Sequence, residues 1–185
     1  MVTNGKRRQF TVRGFQQQFD AGILDEDERS ELPEGESVET PPLTPPPMSS
    51  VNRGTRDFVQ ALGNRAVARP HNADVLGLRN VPQPGLALLA GRDDPCAGMA
   101  PAAEGRRLVI EIADTSLQRD RVRKGVPEYG ASALNGGWST VCRDPAPRGH
   151  RTVQVNQCSE SIAPLALPDL TVPVEAVLGP RTEGR

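Results

Sequence analysis

The segment RLVIEIAD, residues 107–114, is an aliphatic run broken by one acid, Glu111, held between Ile110 and Ile112. A run of this length and composition reads as a buried strand. An ionised carboxylate inside a core is unfavourable unless it is paired or coordinates a cation. Glu111 therefore either meets such a partner or sits at a sheet edge or strand end that water reaches. Alternation puts it on one face with Val109 and Ala113, and the spacing alone leaves both readings open.

Further elements can be placed around this strand. GLALLA, after VPQP, reads as a second buried strand, adjacent to 107–113, and HRTVQVNQ alternates with period two, as a half-buried strand does. LPDLTVPVEAVLG suggests a strand and a closing helical turn. Phe10, Phe15, Phe19 and Ile23 recur at near-helical spacing behind Thr11, a suitable N-cap, and ELPEGESVE suggests a hairpin around Pro33 and Gly35. A second helix is expected from Ser50, with Val51, Phe58, Val59 and Leu62 on one stripe and Gly63 as its stop. Between these, TPPLTPPPM should hold no regular element, because each proline removes a backbone donor. LQRDRVRK, 117–124, reads as a short charged helix.

With 185 residues the chain fits one domain. Aromatics are 3% of residues, so Val, Leu, Ile and Ala must build the core. Lys and Arg (22) nearly balance Asp and Glu (23), which excludes a global basic footprint and makes any nucleic-acid contact local. The cysteines, Cys96, Cys142 and Cys158, are odd in number and lack CxxC spacing, so free thiols are expected. No apolar run reaches the ~18 to 20 residues that span a bilayer. A cytoplasmic protein without membrane contact is the expectation.

Few other residues suggest chemistry. Lys124 follows Asp120 by four positions, an ordinary helical ion pair. Yet hydrolysis of a phosphodiester with a metal needs carboxylates for the cation and a lysine near the attacking water, roles open to Glu111 and Lys124. Arg119, Arg121 and Arg123 stand ready as phosphate contacts or as a solvated face. His71 and His150 have no partner at a recognised ligand spacing, which favours ordinary surface positions.

RRQFTV, AGILDEDERSEL, PQPGLALL, LVIEIADTSLQRDRVRK, GVPEY and APLALPDLTVPVEAVLG, taken in order, resemble successive segments of the Uma-type restriction endonuclease family, within the PD-(D/E)xK nucleases. The resemblance covers residues 7–179, leaving 1–6 and 180–185 as expected flexible termini. It implies an α/β fold with a restriction-endonuclease-like core, a central mixed β-sheet flanked by helices. It also implies catalytic roles for Glu31, Glu111 and Lys124, with Glu111 a ligand to Mg²⁺ or Mn²⁺, DNA as partner, and allows a homodimer. Ala113 stands where an orthodox lysine would be, in keeping with a lysine displaced to position 124.

Two departures weaken this inheritance. Gly85 occupies the place of the family's first metal-binding aspartate, and Lys124 is followed at once by GVPEY, which truncates the helix that would carry it. GASALNGGWSTV, rich in small residues, replaces an aromatic and aliphatic strand. The expected function is thus a metal-dependent DNA endonuclease with impaired catalysis. The alternative is a non-catalytic nucleic-acid-binding module or decayed pseudonuclease. Asp74, Asp93 and Asp94 are the nearby acids available to replace the missing ligand.

Overall fold

The computed structural model describes residues 8–25, 27–41, 45–91, 105–113, 126–134, 137–146 and 149–179. In chain order the elements are α1 (Val12–Asp20), β1 (Ser30–Glu31), β2 (Val38–Glu39), α2 (Pro45–Leu62), β3 (Ala66–Pro70), β4 (Leu86–Ala90) and β5 (Arg106–Ala113). There follow β6 (Glu128–Ala133), β7 (Trp138–Ala146), β8 (Gly149–Gln157), β9 (Ser161–Ile162), β10 (Val172–Pro173) and α3 (Val174–Leu178). Six strands form one sheet in the order β3-β4-β5-β6-β7-β8. Only β5 and β6 pair in parallel, as their sequence order and the long connection between them require; the other neighbours are antiparallel. The fold is α/β with a mixed central sheet, and β4 and β5 are adjacent interior strands as expected.

Alternation divides the sheet into two faces. Leu86, Leu88, Leu108, Ile110 and Ile112 pack under α2 against Val51, Phe58 and Leu62. Ala87, Val109, Tyr129, Ala131 and Cys142 pack on the opposite face with Val126. A β5 strand buried on both sides is why its sequence is a continuous aliphatic run.

Several expectations are met in detail. Thr11 caps α1, its hydroxyl accepting from the Gly14 amide at 3.2 Å, and Phe15 is buried with Phe19 edge-on against it. The β1–β2 hairpin pairs Ser30 with Glu39 and Glu31 with Val38. Cys142 and Cys158 are free. No helix among the described residues is long and apolar enough to cross a membrane.

Others are corrected. The helix expected from Ser50 begins at Pro45 and runs through three consecutive prolines. First-turn amides have no intrahelical acceptor in any case, so proline loses nothing there and its fixed φ suits the helix. The segment EYGASA, mostly small residues, forms β6, buried throughout. HRTVQVNQ forms β8, but as an edge strand with Val153 and Val155 exposed, so its alternation does not mark a buried side. The helix expected at 117–124 lies outside the described residues, as do Cys96 and the two termini at 1–6 and 180–185.

Candidate active site

Glu111 points away from α2, being one step from Ile110 and Ile112 in a strand. It stands opposite Ala131 on β6. On its other side the β4–β5 ladder ends at Leu86 opposite Ile110, and the chain bends away at Gly85. Glu111 is thus interior in the sheet but at the end of one ladder, half-buried. Its Oε2 lies 3.4 Å from the Gly85 amide.

Glu31 reaches the same place from the far N-terminal hairpin. Residues 72–85 run back beside that hairpin. Leu32 and Val81 exchange backbone hydrogen bonds, and the Gly35 amide donates to Arg79. The Gln83 amide then donates to Glu31 Oε1 at 2.9 Å. Two carboxylates separated by 80 positions are therefore brought to one stretch of backbone, residues 83–85. Burial pushes the Glu111 carboxyl up to about 8, and the nearby Glu31 carboxylate opposes its ionisation further; the Gly85 amide and the Arg29 guanidinium pull in the other direction.

Arg29 reaches toward this cluster, its Nε donating to Gln83 Oε1 and its Nη1 to the Pro41 carbonyl, each at 3.4 Å. His71 follows β3 in a left-handed conformation (φ 51°), and its amide donates to the Gly85 carbonyl at 3.2 Å. Contrary to the expected surface position, both of its ring nitrogens are buried. Sequence spacing could not flag His71, because its nearness to Gly85 arises from pairing between strands. Arg29 was likewise unmarked among the charges of DEDERSEL. His150 is also half-buried, with Nε2 3.1 Å from the Val126 carbonyl and Nδ1 buried without a hydrogen-bond partner among the described residues.

Gly85 does lie beside Glu111. A β-carbon at 85 would find as its nearest neighbours the Ile110 carbonyl at 3.2 Å, Val51 Cγ2 at 3.3 Å and the Ile112 amide at 3.6 Å. Glycine thus permits a close approach to β5, and an aspartate there would set out toward Val51 on α2, the side from which Glu111 points away, and would require the start of β4 to shift by a few tenths of an ångström. Asp74 is no substitute ligand: it is buried in an ion pair with Arg106, Oδ2 to Nε at 2.5 Å. Asp93, Asp94, Lys124, Arg119, Arg121 and Arg123 lie outside the described residues. Among the described residues no group of three or more His, Cys, Asp or Glu side chains is arranged to hold a metal ion. Cavities of about 40 and 250 Å³ lie on the α2 side, sharing Phe58, Val172 and Val177, and are not lined by these carboxylates.

The sheet defines the class of fold, a mixed α/β core, and similar cores occur among solved structures. One solved structure makes the likeness specific, a protein described as "a putative nuclease belonging to DUF820" from Anabaena variabilis ATCC 29413. It superposes with a TM-score of 0.71 at 14% identity, over 91% of this chain and 97% of that one. At that identity the likeness establishes the shared fold. No family model matches the chain, and no curated protein matches it.

Proposed function

We propose that the chain is a metal-dependent DNA endonuclease of restriction type with impaired catalysis, acting through Glu31, Glu111 and Lys124. The observation that carries this reading is the approach of two carboxylates to one short stretch, Glu31 at the Gln83 amide and Glu111 at the Gly85 amide, in a fold shared with a protein described as a nuclease. The Glu31 carboxylate opposes the ionisation of Glu111, an arrangement that a divalent cation relieves. Their oxygens are the hard donors that Mg²⁺ or Mn²⁺ takes, and a bound cation supplies Lewis acidity toward a phosphodiester. In this scheme Glu111 is the principal ligand and Glu31 supports it. Lys124 offsets charge on the scissile phosphate, and Arg119, Arg121 and Arg123 hold the DNA backbone. Gly85 marks the lost ligand.

A second reading, a nucleic-acid-binding pseudonuclease, draws on one observation: the carboxylate pair has no third acid or histidine arranged with it to close a cation site among the described residues. Plasmid nicking separates the two. Supercoiled DNA in Mg²⁺ should be nicked slowly, at a rate that falls at least ~100-fold in Glu111→Gln and in Lys124→Ala, the scale of losing charge stabilisation at a transition state. Nicking that survives both substitutions would reject the assignment. Retention of DNA with no nicking at all would favour the pseudonuclease.

A further inference from the structure

The two edges of the central sheet are built differently. β3 is five residues long and half-buried throughout, with Ala66 and Ala68 packed against the α2 core; it carries Arg69 and ends at Pro70. Brevity, charge and proline are means by which proteins keep a sheet edge from recruiting another strand. β8 runs nine residues, from Gly149 to Gln157, with no proline, lysine or acid, and residues 151–155 are exposed in succession. Its pairing with β7 keeps one register from Trp138 opposite Gln157 to Arg143 opposite Thr152, so no bulge turns the edge aside. Among the described residues no strand lies on its outer side. Val153 and Val155, 60% and 56% exposed, stand on one face of it.

We propose that β8 is a homodimer interface, pairing antiparallel with β8 of a second copy to join two six-stranded sheets into one. A strand edge is self-complementary under a twofold axis normal to the sheet, each N–H meeting a C=O of the other copy. The same rotation sets the Arg151 end of one strand against the Glu160 end of the other, basic against acidic. Both residues are exposed, and Glu160 is held beside the end of β8 by accepting from the Gln157 amide at 2.6 Å. Parallel addition would set like charges together. With Arg151 opposite Gln157 of the second copy, Val153 of each chain faces Val155 of the other, and the four valines form one cross-strand cluster. An unrelated extended segment would find the same backbone groups but neither the matched ends nor the valine cluster. One strand pair covers less than a standard interface, so the dimer is weak. Glu111 lies three strands from β8, and the inference does not depend on the nuclease reading.

Sedimentation equilibrium of the full chain, from micromolar to millimolar and in reducing buffer because Cys142 and Cys158 are free, reads the assembly. The parent should pass from monomer to dimer, and amide exchange in β8 should slow as concentration rises. Val153→Lys combined with Val155→Lys fills the cluster with like charges and should raise Kd at least ~10-fold. Its thermal midpoint in dilute solution should match the parent's, since both side chains are exposed. Arg151→Glu and Glu160→Lys should each weaken self-association several-fold, and an equimolar mixture of the two should recover the dimer, because each altered end then meets its opposite charge. A parent that stays monomeric at millimolar concentration overturns the proposal. So does a dimer that the lysine pair leaves intact, which places the interface elsewhere, or β8 exchange that is slow at every concentration, which means the edge is covered within one chain. A mixture no more associated than either variant alone rejects the antiparallel pairing.

Discussion

Replacing Arg106 with methionine should lower the unfolding free energy by about 3 to 5 kcal/mol, measured by urea denaturation, the scale expected when one partner of a buried ion pair is left alone. Arg106 and Asp74 are each 1% exposed at the side chain. The guanidinium contacts both carboxylate oxygens, at 2.5 and 2.9 Å, and also donates to the Val75 carbonyl. Removing it strands a carboxylate in the interior, whereas Asp74→Leu combined with Arg106→Met removes both charges and should recover most of the loss. Recovery will be partial, because the Val75 carbonyl still lacks its donor. The pair anchors segment 72–85 to the start of β5, and that segment carries Gln83 and Gly85 to the carboxylates. A single variant that still folds should therefore show weakened protection from hydrogen exchange at the Gln83 amide. A double variant no more stable than Arg106→Met would show that the ion pair is not the source of the loss.

Glu111→Gln should stabilise the protein above pH 8, by about 2 to 4 kcal/mol, and remove most of the decline in stability between pH ~4.5 and 8. The folded carboxyl is raised to about 8, whereas an unfolded glutamate ionises near ~4.3. Below the unfolded value both states are protonated, and the protein has its full stability. As pH rises toward 8 the unfolded chain releases a proton that the folded chain keeps, so stability falls; above 8 both are ionised and the loss is constant. Each unit of separation is worth about 1.4 kcal/mol, and the water that reaches this half-buried carboxyl is why the expected gain is below the full product. Urea midpoints across this range in EDTA check it. Parallel pH profiles for parent and variant would mean that Glu111 titrates normally.

A group so poorly placed for its own ionisation weakens the fold, and strain of this kind collects at functional sites. That link joins the sequence reading to the structure. The β5 strand, and the conflict within it, were legible because a lone acid in an aliphatic run violates the pattern of everything around it. α1 was legible from Thr11 and its phenylalanine spacing. The start of α2 was not, since proline is both a helix breaker and a favoured first-turn residue, and only position in the helix decides between them. β6 was read as weak because small residues carry little hydrophobic signal, although both of its faces are covered. The places of Arg29 and His71 beside Gln83 and Gly85 were not legible for a different reason. Their nearness depends on segment 72–85 doubling back along the hairpin, and no local spacing encodes that return.

The central claim is that Glu31 and Glu111 together form a cation site, and paramagnetic broadening by Mn²⁺ tests it directly even for weak binding. In amide spectra of the metal-free protein, substoichiometric Mn²⁺ should first broaden Gln83, Gly85 and Glu111, the amides at or beside the two carboxylates. Glu111→Gln should abolish that pattern and leave other amides unchanged. Broadening that begins instead at the exposed acids Asp25 and Asp27, or that persists at Gly85 in the variant, would contradict the claim.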